Sequence, residues 1–126
     1  MEGLSATERT CVEQAMAADM LRQVEAWSSI NSGSRNLNGL EMMAGELAAA
    51  LSPLPGELQI EEASPAEAID AAGKSYQVPH GRNLHLVVRP TAPVQLLFTG
   101  HMDTVFAADH AFQETRWLED ATLNGP

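Results

Sequence analysis

Between Pro93 and Gly100 runs Val94-Gln95-Leu96-Leu97-Phe98-Thr99, nearly continuous in apolar residues. A strand of that kind has no polar face to offer water, so it is expected inside a sheet covered on both sides. Helices are the usual covers, and two helical patterns precede it. The expected class is therefore α/β, with helices layered on a sheet. At 126 residues the chain has room for one domain, 1–126, burying about two-thirds of its unfolded surface.

Ser5 and Glu8 have capping-box spacing, and Val12, Met16, Met20, Val24 and Trp27 follow at helical steps. They predict one amphipathic helix with those five residues on its packed face. Residues 28–34 are small and polar and read as a loop. A second helix is expected from Asn38, with Glu41 at capping-box spacing. Leu40, Met43, Ala44, Leu47, Ala48 and Leu51 share one face, and Pro53 and Pro55-Gly56 stop the helix. Leu58-Gln59-Ile60 alternates like a short strand. Residues 64–67 read equally as one helical turn or as loop. Residues 70–73 end that turn or precede a weak strand, 75–78. Residues 84–89 predict a strand with Leu84, Leu86 and Val88 on one face, followed by a turn at 90–93. Residues 100–109 read as irregular, and Asn124-Gly125-Pro126 is strong turn chemistry.

Seventeen Asp and Glu against seven Lys and Arg leave a formal charge of −10. Such a chain repels phosphate, and its cations are scattered singly from Arg9 to Arg116. Neither nucleic acid nor an anionic membrane surface is an expected partner. Aromatic content is only 5%, but with a mean hydropathy of −0.15 disorder does not follow. A single cysteine, Cys11, excludes a disulfide framework and a Cys-rich zinc site. The longest apolar runs, near 47–51 and 94–98, are too short to span a bilayer. Met1-Glu2-Gly3-Leu4 lacks the charged and apolar regions of a signal peptide, so a cytoplasmic location is expected.

The residues with chemistry follow the apolar run, in Gly100-His101-Met102-Asp103-Thr104. Sites in α/β sheets gather at the carboxyl ends of strands. In extended backbone His101 and Asp103 point to the same side. A neutral imidazole is a good zinc ligand, and a nearby carboxylate fixes its tautomer and orientation. Spacing alone leaves the alternative open, a strand-end histidine beside an Asp that begins a turn.

The stretch Val94-Gln95-Leu96-Leu97-Phe98-Thr99-Gly100-His101-Met102-Asp103-Thr104-Val105-Phe106 resembles the signature segment of the dinuclear zinc peptidases. That family holds the glutamate carboxypeptidases, acetylornithine deacetylase and succinyl-diaminopimelate desuccinylase. Trp27-Ser28-Ser29-Ile30-Asn31-Ser32-Gly33-Ser34 is similar to the loop after the family's first helix. Asn83-Leu84-His85-Leu86-Val87-Val88-Arg89 is similar to the strand before the signature, and Leu123-Asn124-Gly125-Pro126 to the tight turn before the second metal motif. The likeness covers the chain from about Val12 to Pro126. Phe106 and Phe112 bring it nearest the glutamate-carboxypeptidase branch.

The resemblance implies a three-layer α/β/α zinc-peptidase-like catalytic domain, of which 1–126 would be the N-terminal part. It implies that His101 ligates one of two zinc ions, and that Asp103 makes the catalytic contribution of orienting that histidine. The implied reaction is metal-dependent hydrolysis of an amide bond next to an amino-acid carboxylate, in a small peptide or N-acyl amino acid. The complete protein of such a family allows a homodimer through a small dimerisation domain. The family's bridging aspartate, its paired glutamates and its other ligands have no counterpart here, so the chain alone is expected to be inactive. The competing expectation is a non-enzymatic, interaction-only product.

The other candidates have plainer readings. His80, between Pro79 and Gly81, belongs to a solvated turn, and His85 faces outward from its strand. His110 is a surface residue. Cys11 is expected to be buried or half-buried rather than nucleophilic. The Met16/Met20 stripe and Met42-Met43 fit core packing, and Glu61-Glu62 a solvated strand edge.

Overall fold

The helix that anchors the fold is the one with the cleanest apolar stripe. In the computed structural model, which describes residues 3–119 and 121–126, this helix runs Leu37–Leu51. Leu40, Met43 and Ala44 are buried, and Leu47, Ala48 and Leu51 are half-buried. The expected face is therefore the packed one. Its cap lies earlier than the capping-box spacing implied. Asn36, not Asn38, accepts from the Gly39 N–H at 3.2 Å.

Beneath this helix lies a two-stranded antiparallel ribbon, Gly56–Glu61 paired with Asn83–Val88. Leu58 sits opposite Leu86, and Ile60 opposite Leu84. Directly opposed residues share a face, and these four are half-buried while Gln59 and His85 are exposed. The helix lies against both strands. Arg82 and Glu41 form an ion pair just before the second strand. Val78 completes the small core with Leu40, Met43 and Ala44.

Two further two-stranded antiparallel sheets are present, Ala66–Ile69 with Ser75–Val78 and Arg116–Trp117 with Leu123–Asn124. Asp70 shapes the first hairpin, its carboxylate accepting from the N–H groups of Ala72 and Lys74 at 2.9 Å each. This is turn chemistry, so 70–73 precedes a strand, and the segment after Ser64 is strand from Ala66 rather than a helical turn. In chain order the elements are α1 (Ala6–Met16), α2 (Met20–Ser28), α3 (Leu37–Leu51), β1 (Gly56–Glu61), β2 (Ala66–Ile69), β3 (Ser75–Val78), β4 (Asn83–Val88), β5 (Arg116–Trp117) and β6 (Leu123–Asn124). The structure is thus mixed α/β. No helix among the described residues is long and apolar enough to cross a membrane.

Three expectations are corrected. The N-terminal helix is two helices, broken at 17–19, and neither buries a residue. Asp19 at the break forms an ion pair with Arg22 at 2.5 Å. The five residues expected on one packed face cannot stay in line across that break. Met16 and Met20 are accordingly 74% and 57% exposed rather than core. Met42 and Cys11 are exposed too, though Met43 is core.

The third correction concerns residues 94–99, which belong to no strand among the described residues. Leu97 and Phe98 are each 88% exposed. The chain leaves β4 at Arg89, whose φ is 48°. The Ala92 N–H donates to the Arg89 carbonyl at 3.0 Å. Gln95 then donates through Nε2 to the carbonyls of Arg89 and Ala92. An interior strand needs neighbours for its backbone N–H and C=O groups, and the described residues place none beside this one. His101 consequently does not owe its position to a buried strand.

Candidate functional site

What positions His101 and Asp103 is a clasp between two loops. The segment after α2 and the segment around Asp103 meet in one parallel bridge, Gly33 with Thr104. The Thr104 N–H donates to the Ser32 carbonyl at 2.9 Å, and the Ser34 N–H to the Thr104 carbonyl at 3.1 Å. Asn31 extends the join. Its Nδ2 donates to the Phe106 carbonyl at 3.1 Å and to Gln113 Oε1 at 2.8 Å. Asn36 ties the clasp to α3, capping the helix while its Nδ2 donates to the Asn31 carbonyl at 2.8 Å.

On this frame His101 and Asp103 are brought together, as their spacing implied. The imidazole Nδ1 lies 2.8 Å from the Asp103 carbonyl oxygen and 3.0 Å from Asp103 Oδ1. A carbonyl and an ionised carboxylate only accept, so Nδ1 carries the proton and donates. In the neutral ring Nε2 then keeps its lone pair, on a side chain 85% exposed. Asp103 Oδ2 is taken by the Ser34 hydroxyl, which donates at 2.6 Å. That hydrogen bond is the main reason the Asp103 carboxyl titrates below its ordinary 3.8; desolvation works against it and His101 adds to it. Beside Ser34 opens a cavity of about 340 Å³, lined by Gly33, Ser34, Arg35, Asn36, Val105 and two alanines.

The remaining histidines stay apart from this arrangement. His110 is exposed, its ring 5.0 Å from that of Phe106 and its Nδ1 accepting from the Phe112 N–H. His85 is exposed on β4. His80 is half-buried rather than fully solvated, its Nε2 donating to the Ser64 carbonyl at 2.5 Å. Glu61 and Glu62 are exposed at the end of β1, as expected. Asn31, Ser34, Asn36 and Gln113 were not singled out by sequence reasoning. Asn31 and Ser34 carried only the signal of the small, polar loop and its resemblance to the loop after the family's first helix, and Asn36 and Gln113 carried none.

The donor set bears on zinc directly. A catalytic zinc takes about three protein ligands and a water. His101, with Nδ1 held and Nε2 open, fits one such position. Among the described residues no group of three or more His, Cys, Asp or Glu side chains converges to complete the sphere. The residues present therefore fit a ligand and not a site. No family model, curated protein or solved structure matches the chain.

Proposed function

We propose that His101 and Asp103 are the ligand and its orienting carboxylate in a metal-dependent hydrolase of amide bonds next to an amino-acid carboxylate. The reading rests on the resemblance of the 94–106 segment and on one observation, the imidazole held at Nδ1 on a side chain that is 85% exposed. That is the arrangement a metal-ligating histidine uses, with its second nitrogen donating to a carboxylate. In this reading the chain contributes the N-terminal part of a three-layer α/β/α catalytic domain in the cytoplasm. Two zinc ions would complete the site with ligands beyond His101. Zinc there would supply Lewis acidity and a more acidic water. Within this chain, Asp103 fixes the ring and His101 presents its lone pair. Arg35, the one basic residue lining the adjacent cavity among the described residues, offers a counter-charge to a substrate carboxylate.

Zinc titration into the ¹⁵N-labelled chain tests this reading. Zinc is expected to perturb the His101 ring through Nε2, and His101→Ala to remove that effect. Asp103→Ala is expected to weaken it by about 10–100-fold. Preferential perturbation of His110 would overturn the assignment. With one ligand on hand, the chain by itself is expected to show no zinc-dependent hydrolysis of N-acyl amino acids or glutamate conjugates. The interaction-only alternative has one observation of its own, the exposure of Val94, Leu96, Leu97 and Phe98. It gains if zinc leaves His101 untouched.

A further inference from the structure

We propose that Ser34 is a positioning residue of this site, its hydroxyl holding Asp103 so that the carboxylate in turn sets the tautomer and direction of the His101 ring. The inference deepens the metal-ligand reading of His101 and takes its functional meaning from that reading.

A carboxylate on a partly exposed side chain turns freely, because its terminal torsion is broad and two-fold. Asp103 is held at both oxygens, Oδ1 by His101 at 3.0 Å and Oδ2 by Ser34 at 2.6 Å. The two contacts together leave it one orientation. Ser34 is fixed independently of its hydroxyl. Its N–H donates to the Thr104 carbonyl at 3.1 Å, and the Asn36 N–H donates to the Gly33 carbonyl at 2.7 Å. The hydroxyl is thus a spare donor on a pinned backbone. The Thr104 carbonyl, at 3.2 Å, competes for it. A charge-assisted bond to an ionised carboxylate at the shorter distance is the stronger of the two. The Asp103 carbonyl also accepts from His101 Nδ1, so loss of the Ser34 contact should weaken the ring's bias without abolishing it.

The test reads the ring itself, with no metal present. Long-range ¹H–¹⁵N correlation at about pH 9, where an ordinary imidazole is neutral, gives the ratio of Nδ1–H to Nε2–H tautomers for His101. The wild-type chain should favour Nδ1–H. Ser34→Ala should lower the ratio roughly threefold to tenfold, the worth of one hydrogen bond, and Ser34→Thr should restore it. His110 in the same spectra should not change. An unaltered His101 ratio in Ser34→Ala, with the Thr104 amide unmoved, overturns the proposal. If Ser34→Ala shifts that amide, Ser34→Cys, with a similar shape and read at about pH 7.5, where an ordinary thiol is mostly protonated and a weak donor while an ordinary imidazole is already mostly neutral, must show the same fall, and an unaltered ratio there overturns it equally. A wild-type ring protonated on Nε2 overturns the proposal and the metal-ligand reading together. The expected ratios, with zinc later perturbing His110 and not His101, would leave the Ser34 contact standing and sink only the metal reading.

Discussion

At the scale of single residues, the clasp depends on atoms that are missing. A Cβ on Gly39 would collide with the Asn31 carbonyl and lie 2.7 Å from Asn36 Nδ2. Helix propensity alone would make Gly39→Ala stabilising by about 1 kcal/mol. Here the obstacle is backbone, and it cannot step aside without releasing the Asn36–Asn31 hydrogen bond. Gly39→Ala is therefore expected to destabilise by about 1–3 kcal/mol, as overpacking does; thermal denaturation followed by circular dichroism checks it, and a raised midpoint would contradict it. Ser32 presents the opposite case. It is 1% exposed and its Oγ has no partner among the described residues. Ser32→Ala removes an unsatisfied hydroxyl, so the same measurement should show no loss, or a gain of up to about 1 kcal/mol. Neither residue stands out in the sequence. Small polar residues at 28–34 say that a loop is present, but nothing local names partners at 103–113.

Among the elements, legibility followed periodicity where the packing partner was close in sequence. The α3 stripe and the alternation of β4 describe a helix and ribbon that bury each other, and both were read with the right face. The same logic failed for Val12, Met16, Met20, Val24 and Trp27. Periodicity states which residues would line up if the helix continued, and at 17–19 it does not. Chemistry at the helix ends was more dependable in α1. The Ser5–Glu8 capping box forms, with the Ser5 N–H donating to Glu8 at 2.7 Å. Those hydrogen bonds hold the Glu8 carboxyl below its ordinary 4.5. A carboxyl lowered by folding contributes stability above its ordinary value and loses it as pH falls through the lowered one. Amide exchange should therefore show α1 opening at its N-terminus as pH drops below 4.5. The start of α3, capped by neutral Asn36, should keep its protection over the same interval. Equal loss at both helix ends would contradict this.

For the molecule as a whole, the apolar run at 94–99 was legible as apolar and misread as buried. Its reading supposed neighbouring strands, and a sequence pattern cannot supply those. Exposed, uncharged segments of this kind, rich in apolar residues, invite pairing between chains. The charge of −10 opposes that association until salt screens it. Leu97→Lys is expected to leave the unfolding midpoint unchanged and to reduce concentration-dependent association, most visibly at high salt, as sedimentation velocity would show. Equal association in both chains would place the sticky surface elsewhere. The clasp carries a different consequence, one of timing. Ser34 and Asp103 are 69 residues apart, and Asn31 and Gln113 are 82 apart, whereas α3, β1 and β4 all fall before Arg89. At about 5–20 residues per second, a growing chain completes helix and ribbon roughly one to five seconds before residues 103–113 emerge. His101 thus acquires its orientation only after helix and ribbon have formed during synthesis. Local opening starts where few buried contacts hold the chain, so on warming His101 should lose that orientation before α3 lets go of the ribbon.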